Sequence, residues 1–311
     1  MSSKAPATSS TAPSISVVMP VYNRASVVGD AIRSVLTQEF ADFELIVVDD
    51  GSTDGTADSV AKFDDPRLRL LRLPANAGGN AARNRGIEAT KAPLIAFLDS
   101  DDAYLPNKLG FTVRAFAERP EMDVLLDSFV KRYPERERPD SELRNPVLGD
   151  NDEILEALFN RRIWKATPGI TAKREAVLRA GKFDEELRRR QDFDFILRLA
   201  KVGRMATTDQ LLWIKSYATG TISADLRNFV PSTLAFYRRH PEYYSNPAYR
   251  PGLAHDLGRH IARLIKRRQF ADAWRDAMVL AQELGWWRFN KLTIAGIGLF
   301  RARRRSIRGE D

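Results

Sequence analysis

The sequence contains no cysteine, which excludes disulfides, zinc–thiolate centres and thiol nucleophiles together. Histidine is scarce: His240, His255 and His260 all lie late in the chain, lack the spacing of a metal-ligand set, and read as helix residues. No uncharged apolar run reaches the ~20 residues that a membrane-crossing helix requires. Residues 1–14 are rich in Ser, Ala, Thr and Pro and have no apolar stretch of the kind a secretory signal needs, so they read as a disordered leader. These absences predict a cytoplasmic chain, or one held peripherally at the inner face of a membrane.

What is abundant is charge of one sign. Lys and Arg number 49 against 41 Asp and Glu, a formal net charge of +8. That excess suits nucleotide phosphates, anionic lipid or nucleic acid without choosing among them. The length allows one main domain and an appendage.

From Ile15 to Leu98 short apolar runs alternate with helical patterns. Ile15 to Met19, Leu45 to Val48, Leu68 to Leu71 and Leu94 to Leu98 are too short for helices and rich in aliphatic residues, which predicts strands. Val27, Val28, Ala31, Ile32, Val35 and Leu36 recur at helical spacing, and a second helix is expected over Ala81 to Ala89. The alternation predicts an α/β fold with a mainly parallel sheet and helices on both faces. Further along, helices are expected over Lys108 to Glu118, Asp152 to Phe159, Lys173 to Ala180 and Asp192 to Ala200. Strands are expected at Val124 to Leu126 and Leu211 to Ile214, and a charged loop over Lys131 to Pro146. The pattern turns helical and basic after Val230. The division expected is therefore a leader over 1–14, a main domain over 15–230 and a helical basic region over 231–311.

Ligands of such a sheet bind at the carboxyl ends of its strands. There stand Pro20-Val21-Tyr22-Asn23-Arg24, Asp49-Asp50-Gly51-Ser52-Thr53-Asp54-Gly55-Thr56, and Asp99-Ser100-Asp101-Asp102. Any one of these reads as an ordinary turn or helix cap. Carboxylates gathered on one rim, however, repel unless a cation or donor groups hold them. Asp99 and Asp101 have the spacing to meet one hard divalent ion, Mg²⁺ or Mn²⁺, which completes its shell with phosphate oxygens.

In this order, the motifs from Val17-Val18-Met19-Pro20 through Ala82-Arg83-Asn84-Arg85-Gly86 to Phe97-Leu98-Asp99-Ser100-Asp101-Asp102 resemble the family 2 glycosyltransferases, over roughly Ser14 to Ser223. The resemblance implies a GT-A fold and transfer of a sugar, with inversion, from a nucleotide-diphosphate-sugar to an acceptor hydroxyl. UDP is the commonest nucleotide in that family. It further implies that Pro20, Tyr22, Asn23, Asp50, Asn84, Asp99, Ser100 and Lys215 serve the nucleotide and donor, and that Asp99 and Asp101 hold the metal. Pro20 fixes the backbone where the strand ends and helps aim Tyr22 toward a planar base; the plainer reading of Tyr22 is a core aromatic.

Gly181-Lys182-Phe183-Asp184-Glu185-Glu186-Leu187, leading to Gln191-Asp192-Phe193-Asp194, resembles the family's acceptor side, where a Glu-Asp pair is usual and the Asp is the general base. Gln191 replaces the Glu and Asp192 matches the base. Asp192 also reads as a helix N-cap. In Trp213-Ile214-Lys215-Ser216-Tyr217-Ala218-Thr219-Gly220-Thr221-Ile222-Ser223, Lys215 is the one cation where many members carry Arg or His to meet the diphosphate. A Gln-x-x-Arg-Trp sequence, associated with processive members, is absent, which favours addition of a single sugar.

Arg259 to Arg268 and Ala271 to Leu284 are expected helices, followed by Trp286-Trp287, the apolar run Leu292 to Phe300 and Arg301 to Arg305. Such a basic, apolar end suits either an anionic membrane surface, where a lipid-linked glycan acceptor is presented, or packing against the main domain. A nucleotidyltransferase would want a Gly-rich basic loop where Pro20 to Arg24 stands. A nucleic-acid-binding module leaves the acidic rim unexplained, so no nucleic-acid partner is expected. A silent nucleotide-binding subunit is the remaining alternative, suggested by Gln191.

Overall fold

The computed structural model describes residues 12–133, 139–187, 189–216, 229–242 and 246–284. The first part is the expected alternation: β1 (Ile15–Val21), α1 (Val28–Leu36), β2 (Phe43–Asp49), α2 (Thr56–Ala61), β3 (Leu68–Arg72), α3 (Gly79–Ala89) and β4 (Leu94–Phe97). Then come β5 (Ala103–Tyr104), α4 (Lys108–Glu118), β6 (Val124–Arg132), β7 (Ser141–Leu143), α5 (Asn151–Phe159), β8 (Ile170–Lys173), α6 (Arg174–Arg179), α7 (Gln191–Val202) and β9 (Met205–Ser216). The described chain closes with α8 (Phe229–Arg239), α9 (Arg250–Lys266) and α10 (Phe270–Leu284).

One sheet runs in the order β3-β2-β1-β4-β8-β6-β9-β5, with β7 paired to β6. The first four strands are parallel, as is β6 with β9; β8 is antiparallel to both of its neighbours. β2 is buried along its whole length, as a strand covered on both faces must be. Successive residues of β1 feed opposite layers. Val17 and Met19 join Ile32, Val35, Leu109 and Phe116 of α1 and α4. Val18 joins Ile87, Phe195, Phe236, Leu257 and Leu280, from α3, α7, α8, α9 and α10. The mainly parallel sheet with helices on both faces, followed by C-terminal helices, is therefore as the sequence suggests.

Four local expectations are corrected. The loop over Lys131 to Pro146 begins in β6 and contains β7, which returns antiparallel along it. The helix expected from Lys173 is preceded by β8, whose Ile170 to Ala172 are buried between β4 and β6. β9 is far longer than Leu211 to Ile214, because its first half pairs with β6 from Met205 onward. At the other end, Ser14 hydrogen-bonds Asp42, so the chain is anchored just before β1. Tyr217 to Ser223, Trp286-Trp287, Leu292 to Phe300 and Arg301 to Arg305 lie outside the described residues, as do residues 1–11.

Candidate active site

The ends of β1 and β2 are tied into one platform. Asn23 takes a left-handed conformation, φ 50°, and its side-chain oxygen accepts from the Thr53 backbone at 2.9 Å while its own N–H donates to Ser52. Asp50 uses both carboxylate oxygens on the Ala77 and Gly78 backbone N–H groups, each at 2.8 Å, and so holds the segment before α3. Gly51 is required at φ 72°, where a Cβ would come within 2.7 Å of Ala75. Tyr22 stands at the rim with 43% of its surface exposed, so it is available to a ligand and is not a core aromatic.

α3 has polar residues turned inward, where an unpaired group would be costly. Arg83 donates to Asp99 at 2.6 Å and to Asn80 at 3.2 Å, so it fixes the carboxylate that follows β4. Asn84 is spent elsewhere: its amide donates to the Phe183 carbonyl and accepts from the Phe183 N–H, both at 2.9 Å. It stays behind the cavity lining and joins α3 to the segment leading into α7.

Pairing of β5 with β9 sets Tyr104 opposite Trp213 and thereby brings Lys215 beside the acidic turn. Lys215 lies 3.5 Å from Asp102, whose other oxygen accepts from the Ser216 backbone at 2.9 Å. Burial, joined by the Asp99 and Asp101 charges, pushes the Asp102 carboxyl up to about 8 against the pull of Lys215. Burial also opposes ionisation of Asp99, but Arg83 and Lys215 outweigh it and hold that carboxyl below the usual range. The protein crowded around Asp101, and then the Asp99 charge, push Asp101 above it, although Lys215 and Arg24 work the other way. Among the described residues no three acidic or histidine side chains converge as a complete metal set. Asp99 and Asp101 nevertheless fit a hard divalent ion: they offer two carboxylates, two positions apart in the chain, that line one cavity, leaving the rest of the shell to phosphate and water.

All of this opens on a cavity of about 870 Å³. Pro20, Tyr22, Asn23, Asp50, Asp99, Ser100, Asp101, Lys215 and Asp192 line it together, so the structure gathers every residue singled out except Asn84. The N-cap reading of Asp192 does not hold, because the cap position is Arg190, at φ 62°, and offers no side-chain bond. Asp192 lies inside the first turn of α7, half-buried, with one oxygen accepting from the Phe193 N–H at 2.8 Å. Asp194 faces away; it is buried and bound to Arg198 at 2.7 Å and His240 at 2.8 Å. Burial works against its charge, yet those two partners hold its carboxyl below the usual range.

A second, helical wall of the cavity is one that sequence reasoning missed. Arg161, Lys165, Arg190, Arg259 and Arg263 line it, drawn from α9 and from the turns before β8 and α7. Arg161 and Arg190 both pair with Asp256 of α9. The only signal was the four-residue spacing of Arg259 and Arg263, which places them on one helical face.

Residues 16–184 match the family described as Glycosyl transferase family 2. Among curated relatives, the succinoglycan biosynthesis protein ExoO of Rhizobium meliloti is 31% identical over 244 residues, covering 73% of this chain and 69% of that protein. The putative teichuronic acid biosynthesis glycosyltransferase TuaG of Bacillus subtilis is 33% identical over 151 residues, 44% of this chain and 60% of that one. The chain thus spans about two thirds of the length of these relatives or less. In fold it resembles S. aureus TarS in complex with UDP-GlcNAc, with a TM-score of 0.61 at 20% identity over 95% of this chain and 91% of that one. It also resembles the mannosyltransferase PcManGT of Pyrobaculum calidifontis in complex with GDP-Man and Mn²⁺, with a TM-score of 0.57 at 18% identity over 93% and 87% of the two chains. The matched segment carries the strand-end motifs that build the cavity floor, and with a relative 31% identical over nearly three quarters of its length, the chain belongs to glycosyl transferase family 2.

Proposed function

We propose that this chain transfers a single sugar from a nucleotide-diphosphate-sugar to an acceptor hydroxyl, with inversion, in the assembly of a polysaccharide or other glycoconjugate. The observation that carries this reading is one cavity with Tyr22, Asp50, Asp99 and Asp101 at the carboxyl ends of β1, β2 and β4, and Asp192 at the start of α7. Tyr22 offers a face for the base, and UDP is the first nucleotide to try. Asp50 keeps the adjoining Asn76 to Gly78 segment in place for the donor. Asp99 and Asp101 would hold Mg²⁺ or Mn²⁺, which neutralises charge on a departing diphosphate without proton transfer. Lys215 and Arg83 add positive charge on the same side, and Ser100 lies between the two carboxylates. Asp192 takes the proton of the acceptor hydroxyl as that oxygen attacks the anomeric carbon opposite the diphosphate.

The helices after Val230 belong to this catalytic unit in our reading, since Val230, Phe236 and Leu257 share its core and Arg259 and Arg263 its cavity. Among the described residues no helix is long and apolar enough to cross a membrane. We place the chain in the cytoplasm, in peripheral contact with an anionic membrane. Ile265, Phe270 and Trp274 support that contact: Phe270 and Trp274 are 62% and 70% exposed, beside Lys266, Arg267 and Arg268. Flotation with anionic vesicles at low salt and release at high salt is the expected result.

A panel of nucleotide sugars, assayed for release of nucleotide diphosphate with and without Mn²⁺ or Mg²⁺, tests the catalytic reading. Release from at least one donor, abolished by chelation, is expected. No release from any donor, together with no thermal stabilisation by any nucleotide diphosphate and metal, would overturn it.

A further inference from the structure

The cavity carries two separate electrostatic clusters. At the strand ends, Asp99, Asp101 and Asp102 interact with Arg83, Lys215 and Arg24. Apart from these, Lys165 responds to Asp192, Asp256, Arg161 and Arg190, and Arg259 to Arg161, Arg263, Asp256 and Arg190. The strand-end cluster thus has cations of its own for a donor diphosphate. The second cluster reaches the carboxylate assigned as base through Lys165.

This second cluster is unbalanced. Asp192 and Asp256 are the lining carboxylates on that side, and Asp256 already serves both Arg161 and Arg190. Burial, followed by the crowding of Arg161 and Arg263, holds Arg259 below the ordinary guanidinium range; burial and then Arg267 do the same to Arg263. Lys165 is lowered too, by burial first. Like charges are costly to gather on a partly buried wall, and a bound anion would relieve them. Arg263 lies two residues before the exposed Ile265 on α9, and Phe270 and Trp274 at the start of α10 are also open to solvent.

We propose that Arg161, Lys165, Arg190, Arg259 and Arg263 form an anion site for the acceptor, which therefore carries a phosphate or diphosphate next to the sugar that is extended. This rests on the reading of Asp192 as the acceptor-side base. The phosphate docks against the guanidinium forks of α9, which suit phosphate oxygens. The hydroxyl to be glycosylated then lies toward Asp192. Asp256 pairs with Arg161 through one carboxylate oxygen and with Arg190 through the other, which makes it a positioning residue and not a catalytic one.

The test is calorimetric titration of the full chain with geranyl diphosphate and with glucose 1-phosphate, each with and without UDP and Mn²⁺. The wild type is expected to bind at least one probe. In Arg259→Gln/Arg263→Gln that binding falls by roughly tenfold or more, while UDP–Mn²⁺ affinity stays within about twofold. Binding of geranyl diphosphate alone assigns a lipid-borne acceptor, binding of glucose 1-phosphate alone a soluble one, and binding of both a site that reads the phosphate only. Should the double variant melt early, Arg263→Gln, on a half-buried side chain, replaces it. Failure of the wild type to bind either probe overturns the proposal, as does an equal loss of UDP affinity in the variant, which would give these cations to the donor. If UDP fails to bind any form while the probes still discriminate wild type from variant, the donor reading falls and the anion site stands.

Discussion

The two walls of the cavity were built in different ways. The strand-end wall comes from three short segments, each directly after a buried strand, so that its chemistry is written in contiguous residues such as Asp99-Ser100-Asp101-Asp102. The helical wall draws single residues from far apart, Arg161, Arg190 and Arg259 among them, and they meet only because α8 to α10 dock on the α7 face of the sheet. A parallel sheet thus fixes one half of a site by topology alone. The other half depends on tertiary packing and is free to differ while the first stays constant, which is where acceptor choice would reside.

That contrast can be broken at several points. The largest effect is expected at Asp192: Asp192→Asn keeps the size but loses the basicity, so transfer should fall by roughly 10²–10⁴-fold with donor affinity intact. Equal losses in donor binding would move Asp192 to the wrong wall. Asp194→Asn should act on stability instead, because it strips a buried carboxylate from Arg198 and His240; the expected cost is about 3–5 kcal/mol in a denaturation experiment. The sign of the pH effect follows from the depressed carboxyl of Asp194. Its contribution is complete above the unfolded value of ~4 and drains away as pH falls through the lower folded value, so the variant should flatten acid unfolding. A smaller change is expected from Gly86→Ala. A Cβ there would collide with the Val18 side chain and approach Val48 at 3.2 Å, prising α3 from β1 and β2 at a cost of about 1–3 kcal/mol.

Most of the strand-end wall was legible because burial and motif coincide in one short window. α4 falls on Lys108–Glu118 as its periodicity predicts, and the four parallel strands fall where their apolar runs do. Sequence reasoning failed where a residue's partner is distant. Asn84 has the polarity of a ligand contact, yet the Phe183 backbone claims its amide. β8 is only four residues long and runs straight into α6, so no period-2 pattern could separate them. Arg259 and Arg263 read only as part of a basic helix suited to a membrane surface or to packing on the main domain, because nothing local says that they line the cavity.

The central claim is that the strand-end carboxylates hold the donor through a divalent ion, and one calorimetric comparison addresses it most directly. UDP is titrated into the wild type and into Asp101→Asn, with Mn²⁺ and with chelator. The account predicts metal-dependent binding in the wild type and its weakening by on the order of a hundredfold in the variant, at unchanged melting temperature without ligand, since loss of a direct ligand should cost at least as much as loss of an outer-sphere partner. Unchanged affinity of Asp101→Asn for UDP and Mn²⁺ would contradict it and leave Asp101 a turn residue.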